Sequence, residues 1–263
     1  LALVATGVAG AAFVVTLLAV WGVERAPERA PERDEQKPPF AQVMREIWAE
    51  PLARRFTIFV FVSMLAYSAQ DLILEPFAGL IFNMTPGQST QLAGVQHGGV
   101  LLGMILVGVF GARFGDKRRA WMRHWTIAGC VGSAFALAAL ACAALIGPAW
   151  PLQPTVFALG FANGVFAVSA IGSMMGLAGE GRSAREGVRM GVWGAAQAIA
   201  FACGGFAGAA GVDALRAVLP DTASAFQIVF ALEAALFMGA AVLAGRLDLR
   251  GAVRVKTADA GLE

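Results

Sequence analysis

Seven apolar runs recur along the 263 residues, at 1–23, 56–82, 92–112, 125–147, 154–178, 190–212 and 223–244. Each is about the length an α-helix needs to cross the hydrocarbon of a bilayer. None alternates as a transmembrane β-strand does, and all are too long for one. Hydrophobic residues make up 58% of the chain and charged residues 14%. A soluble domain is nearer one-quarter charged, so this surface cannot all face water. The 32 glycines fit packed membrane helices, where small residues let backbones approach. The expected fold class is an all-α membrane protein with about seven transmembrane helices.

The basic residues are sorted among the loops. Arg25, Arg29, Arg33, Lys37, Arg45, Arg54 and Arg55 fall in the first loop. Arg113, Lys117, Arg118, Arg119 and Arg123 lie between the third and fourth runs, and Arg182, Arg185 and Arg189 between the fifth and sixth. Arg246, Arg250, Arg254 and Lys256 follow the last. If the chain crosses seven times, nineteen of the 20 Lys and Arg share one side and only Arg216 lies opposite. The positive-inside rule makes that side the cytoplasm and places the C-terminus there. Trp21, Trp121, Trp125 and Trp150 stand at span ends, as interfacial aromatics do.

Residues 24–55 form the one long polar stretch. Its first half, ERAPERAPERDEQKPP, is charged, proline-rich and nearly devoid of apolar residues, which reads as a solvated, extended linker. At about 40–50, Phe40, Val43, Met44, Ile47 and Trp48 recur at helical spacing, the pattern of an amphipathic helix lying on the membrane surface. Many secondary transporters join two six-helix halves by such a loop. The expected organisation is therefore residues 1–23 as the last helix of an N-terminal half, 24–55 as cytoplasmic linker, 56–246 as a six-helix C-terminal bundle, and 247–263 as cytoplasmic tail. No basic segment or cleavage site precedes the first run, so it does not read as a signal peptide.

Polar groups at bilayer depth are expensive and mark sites of function. Asp71 and Glu75 sit in the second run, within Gln70-Asp-Leu-Ile-Leu-Glu75-Pro76. Spacing i,i+4 puts both carboxylates on one helical face, where they repel if both are charged. Pro76 removes a backbone donor and crowds the carbonyl of Leu72, so a kinked or broken helix is expected. That constellation suits a cation, a proton or a hydrogen-bonding ligand head; the plainer reading is a polar interhelical pair. His97, in Gly94-Val-Gln-His-Gly-Gly99, could offer a neutral imidazole to the magnesium of a chlorophyll, the glycines leaving room for a flat macrocycle. Its plainer reading is a hydrogen bond to a neighbouring helix, with Asp71 or Glu75 as partner. Glu233 is mid-span in the last run, Asn163 and Gln197 read as interhelical glue, and the pairs Gly99/Gly103, Gly160/Gly164, Gly172/Gly176 and Gly204/Gly208 have small-xxx-small spacing. Cys130, Cys142 and Cys203 lie in apolar runs without metal-ligand spacing.

No nucleophile elbow, phosphate loop or zinc motif is present. A membrane prenyltransferase needs aspartate-rich pairs near a loop, and Asp116 stands alone there. The chain does not read as an enzyme, and no metal site or nucleic-acid partner is expected.

Gln70-Asp71-Leu-Ile-Leu-Glu75-Pro76-Phe-Ala-Gly79, Thr85-Pro-Gly-Gln-Ser-Thr90 and Gln96-His97-Gly98-Gly99 together resemble the PucC/LhaA family, the bacteriochlorophyll-delivery branch of the major facilitator superfamily in purple phototrophic bacteria. The resemblance runs from the linker onward. It implies a twelve-helix, multi-pass protein of the inner, intracytoplasmic photosynthetic membrane. Its partners would be light-harvesting antenna polypeptides and bacteriochlorophyll or the machinery that makes it, with pigment held transiently and no tightly bound cofactor. The loop after the third run is similar to the superfamily's GxxxDRxGRR loop at Gly108, Arg113, Gly115, Lys117 and Arg118. Ala112 stands where the acidic residue belongs and Asp116 where a basic one does, which argues against a gating ion pair there. The leading expectation is a light-harvesting assembly factor that delivers bacteriochlorophyll. The alternative is a proton-coupled transporter of a small solute using Asp71 and Glu75.

Overall fold

The structure, a computed structural model, describes residues 2–20, 45–46, 48–111, 118–178 and 186–247, and every regular element among them is helical. Most of the linker, the loop carrying Arg113, Gly115 and Lys117, the loop 179–185 and the tail from 248 lie outside the described residues. Two units separate at Pro39 and Phe40. The first holds α1 (Ala2–Val20), apolar at nearly every position. Its 19 residues rise about 28 Å, close to the hydrocarbon thickness. Of the expected amphipathic helix, 45–46 and 48–49 are described, and they are helical.

The second unit holds α2 (Pro51–Phe82), α3 (Pro86–Gly111), α4 (Arg118–Ile146), α5 (Leu152–Ala178), α6 (Glu186–Val218) and α7 (Thr222–Arg246). All six are long and apolar enough to cross a membrane, and the chain is a multi-pass membrane protein. The helices outrun the apolar runs that announced them. α2 starts at Pro51 rather than at 56, α4 at Arg118 rather than at 125, and α6 ends at Val218 rather than at 212. Hydropathy marks where the hydrocarbon is crossed, whereas backbone hydrogen bonding continues to a stop signal. Pro51 opens α2 in the first turn, where its missing N–H costs nothing. Asn83 closes it in the left-handed region (φ 54°), its N–H bonded to the Ala78 carbonyl. Asp221 caps α7 by accepting from the N–H groups of Ala223 and Ser224, bonds that hold its carboxyl below the usual carboxylate range.

Glycines decide the packing. α3 crosses α5 with Gly99 against the Phe157 carbonyl and Gly103 against that of Phe161, while Gly160 faces the Gln96 carbonyl and Gly164 that of Val100. α6 crosses α2 in the same way, Gly204 against the Leu65 carbonyl and Gly208 against that of Ala69. A Cβ at any of these positions would meet backbone. α4 packs on both α5 and α7, and α2 also meets α7. Exchanging α2–α3–α4 with α5–α6–α7 leaves this pattern of neighbours unchanged, so the bundle repeats a three-helix unit. An aromatic core of Phe56, Phe59, Phe77, Phe166, Trp193, Phe226, Phe230 and Phe237 fills the middle.

One end of this unit gathers the starts of α2, α4 and α6 and the ends of α5 and α7. Arg189 pairs with Glu50 at 2.5 Å, and Phe56, Arg123, Leu177 and Leu247 line one small cavity. Arg123 and Arg189 lie at that end, and Arg216 lies at the other end of α6. The Ser133 hydroxyl donates to Asn163 Oδ1 across α4–α5 at 2.7 Å, so Asn163 is interhelical glue.

Two outcomes are expected. In a cysteine-free background, Arg118→Cys and Arg185→Cys should resist a membrane-impermeant thiol reagent applied from the periplasm and react once the membrane is opened. Labelling from the periplasm overturns the orientation. Gly160→Leu should destabilise the bundle by about 3 kcal/mol or more, since the side chain lands on backbone. Gly239→Leu, with nothing within 4 Å, should melt as the parent does; equal melting of both variants would remove the crossing from its central place.

Candidate functional site

The turn between α2 and α3 is built by the Thr85-Pro-Gly-Gln88 segment. Gln88 reaches back so that its Oε1 accepts from the Thr85 backbone N–H at 2.8 Å, and the Ser89 N–H bonds the Thr85 carbonyl at 3.0 Å. This is the return half of a capping box, with Pro86 at the first helical position. The tight connection sets the start of α3 beside the end of α2. Farther along, the two helices diverge, because α3 is drawn to α5 and α2 to α6.

A cavity of about 270 Å³ fills the gap, lined by Asp71, Leu74 and Glu75 of α2 and Ser89, Leu92, Ala93, Gln96 and His97 of α3. The spacings i,i+3,i+4 on α2 and i,i+3,i+4,i+7,i+8 on α3 are those of single helical faces. Asp71, Glu75 and His97, expected from sequence to carry function, thus face one space. The Ser89 hydroxyl has one hydrogen to give and two acceptors in reach, Glu75 Oε1 at 3.2 Å and the Pro86 carbonyl at 3.0 Å. Gln96 is a side-chain hydrogen-bond partner of Asp71, and His97 lies beside that carboxylate.

His97 Nδ1 lies 2.7 Å from the Ala93 carbonyl. A carbonyl only accepts, so Nδ1 carries the hydrogen, and Nε2 is the ring nitrogen left to act as a ligand. The interhelical hydrogen bond expected on the plainer reading is therefore not what holds the ring; the preceding turn of its own helix does. The glycines around it divide. Gly99 is used up in the α5 crossing, where no space is left, whereas Gly94 and Gly98 have nothing within 4 Å of a Cβ.

Pro76 does not break its helix: α2 runs unbroken from Pro51 to Phe82 with Pro76 inside. Packing on α6 and α7 holds the backbone on both sides of the proline, as neighbours do for prolines in membrane helices. Gln70 and Glu233 stand apart from the cavity. They are 0% and 2% exposed. Gly108 is exposed on α3 with nothing within 4 Å, and Arg118 opens α4. Ser89 and Gln96 stand in the motifs quoted from sequence but were not among its candidate site residues, although the capping signal at Thr85–Gln88 and the seven-residue spacing of 89 and 96 place both on the face of His97.

The fold and this cavity define a polytopic helical membrane protein with a polar recess between two of its helices. The family model for the PUCC protein matches residues 1–252, and the chain belongs to that family. It is 51% identical over 253 residues to the "Bacteriochlorophyll synthase 44.5 kDa chain" of Rhodobacter capsulatus, covering 95% of this chain and 57% of that one. It is 29% identical over 237 residues to "Protein PucC" of Cereibacter sphaeroides, covering 88% and 50%. An "Uncharacterized protein in puhA-bchM intergenic region" of Rhodobacter capsulatus is 27% identical over 268 residues, covering 98% and 54%. The chain spans about half the length of the curated relatives it matches. No solved structure matches it.

Proposed function

We propose that this chain is part of a light-harvesting complex assembly factor that hands bacteriochlorophyll to antenna polypeptides in the intracytoplasmic membrane of a purple phototroph. The observation that carries the reading is His97: an imidazole at membrane depth with Nδ1 donating to Ala93, Nε2 free, and open glycines one turn before and one residue after it. An imidazole held by its other nitrogen is the usual arrangement of a metal-ligating histidine. The choice of pigment rests on the name of the relative called a bacteriochlorophyll synthase chain.

Size fixes how pigment sits. Pockets that enclose a drug-sized ligand run roughly 300–1,000 Å³, and a tetrapyrrole is larger than most such ligands. The cavity, at about 270 Å³, cannot swallow the macrocycle. On this reading the ring would rest against the α3 face at Gly94 and Gly98, with His97 as the residue to ligate its magnesium. Asp71, Glu75, Ser89 and Gln96 would meet polar groups at its edge. Holding of this kind is transient, as a delivery protein requires.

On the same reading, α2 to α7 are the C-terminal half of a twelve-helix, major-facilitator-type protein, preceded by α1 and the linker, with a cytoplasmic C-terminus. The three-helix repeat and the greater length of the relatives support it. The role is assembly rather than synthesis, despite the relative's name. A second reading, proton-coupled transport of a small solute, draws on the two carboxylates that share the recess.

Full-length protein with His97→Phe should retain severalfold less bacteriochlorophyll on gentle purification, read by absorption, at unchanged abundance. Unchanged pigment removes His97 from the site. Asp71→Asn and Glu75→Gln should each lower accumulated antenna severalfold while inserting normally, since an amide keeps size and some hydrogen bonding but not the charge. Wild-type antenna levels in both would make the pair structural, and pH-driven solute uptake lost in both would favour transport.

A further inference from the structure

Two points fix the register of α2 against α7. Phe77 packs on Phe226 and Phe230 with ring centroids 5.3 and 4.9 Å away. At the other end Phe56 and Phe59 share a cavity with Ala244 and Leu247. The helices therefore run antiparallel, and between these points Gln70 falls level with Glu233. Gln70 is two turns before Phe77 on the same face, and Glu233 is two turns after Phe226.

Both side chains are buried, and all four of their polar atoms lack a hydrogen-bond partner. Leaving buried polar groups unpaired is among the costlier things a fold can do, most of all for a carboxylate. Two such residues level with each other in one helix contact mark a place where something else binds. Asp71, next to Gln70, is close enough to Glu233 for the two carboxylates to act on each other. Among the described residues, the other helices packed on α7 bring no charge to this level, and Asp71 is itself faced by His97 of α3 and Tyr67 of α2. α4 carries the Cys130 thiol along its buried side and Arg123 and His124 only near its start. α6 has Arg189, tied to Glu50, at one end and the Asp213–Arg216 pair at the other.

We propose that Gln70, Asp71 and Glu233 form a site for one monovalent cation, H⁺ or Na⁺, set into the α2–α7 contact behind the cavity wall. Carboxylate and amide oxygens are hard ligands. The three side chains carry five oxygens between them, fewer than the six to eight that Ca²⁺ takes. A proton neutralises the Glu233 carboxylate where no donor reaches it. A sodium ion bridges the carboxylate and the Gln70 carbonyl. Either removes the unpaired charge, and Asp71 on the cavity wall offers the way in.

The test is the melting temperature of the purified full-length protein in lipid nanodiscs, without pigment. Replacing choline chloride by NaCl should raise it if the ion is Na⁺. Lowering the pH from about 8 to about 6 in choline should raise it if the ion is H⁺, because a group that takes up protons on folding stabilises as pH falls. The rise should reach about 3 °C at an ion concentration about 100-fold above Kd, for a protein about twice the length of this chain. Glu233→Gln should abolish the response and melt no lower than wild type at the high-pH, sodium-free end, since it lacks the unpaired charge. Gln70→Leu keeps the carboxylate and should weaken the response, which decides the matter if the first variant does not fold. A melting temperature indifferent to both ions, or one that responds equally in Glu233→Gln, overturns the site. Because no pigment is involved, failure here leaves the His97 assignment standing, and failure of that assignment leaves this one.

Discussion

The bundle depends on backbone meeting backbone where α3 crosses α5 and α6 crosses α2. Lipid offers no hydrophobic drive for helices to associate, so van der Waals contact at close range must supply it. Gly99, Gly103, Gly160 and Gly164 let one crossing close, and Gly204 and Gly208 the other. The remaining contacts, the aromatic core among them, are arranged around these two. Ser68 strengthens the second crossing by donating to the Phe201 carbonyl at 2.6 Å.

The recess follows from the same constraint. α2 and α3 are consecutive and joined by a three-residue turn, yet each is committed to a different partner. They meet at the turn and part beyond it, and the space left over collects the polar side chains of both. No lone residue makes the cavity. It is the gap that the glycine crossings impose on two helices that a capping turn holds together at one end.

The membrane-spanning character was legible because hydrocarbon thickness writes itself into the length of apolar runs. The grouping of Asp71, Glu75 and His97 was half legible: helical spacing put the two carboxylates on one face, but only the α2–α3 turn brings His97 opposite. Pro76 left a kink and a break equally open from sequence, and the unbroken helix excludes the break, since neighbours hold it on either side. The split among Gly94, Gly98 and Gly99 was hidden as well. Adjacent helical residues point about 100° apart, so which of them faces α5 depends on a partner more than fifty residues away. The levelling of Gln70 with Glu233 is a matter of register between distant helices, which no local pattern encodes.

The internal repeat separates what the fold needs from what the site adds. Gly99 and Gly103 face Phe157 and Phe161, while Gly204 and Gly208 face Leu65 and Ala69. Superposing the two crossings matches α2 with α5 and α3 with α6. It also sets Gly160, against the Gln96 carbonyl, at the place of Ser68, bonded to the Phe201 carbonyl. Carried along the helices, the match puts Asn163 where Asp71 is, Ala167 where Glu75 is and Ala202 where His97 is. Asn163 is buried, and its Oδ1 accepts from the Ser133 hydroxyl of the neighbouring helix. The second unit therefore forms the same crossing with neither the carboxylate pair nor the imidazole. Those groups are not what the architecture requires, and a fold that can be built without charge at membrane depth keeps it in one repeat only where the charge has work to do.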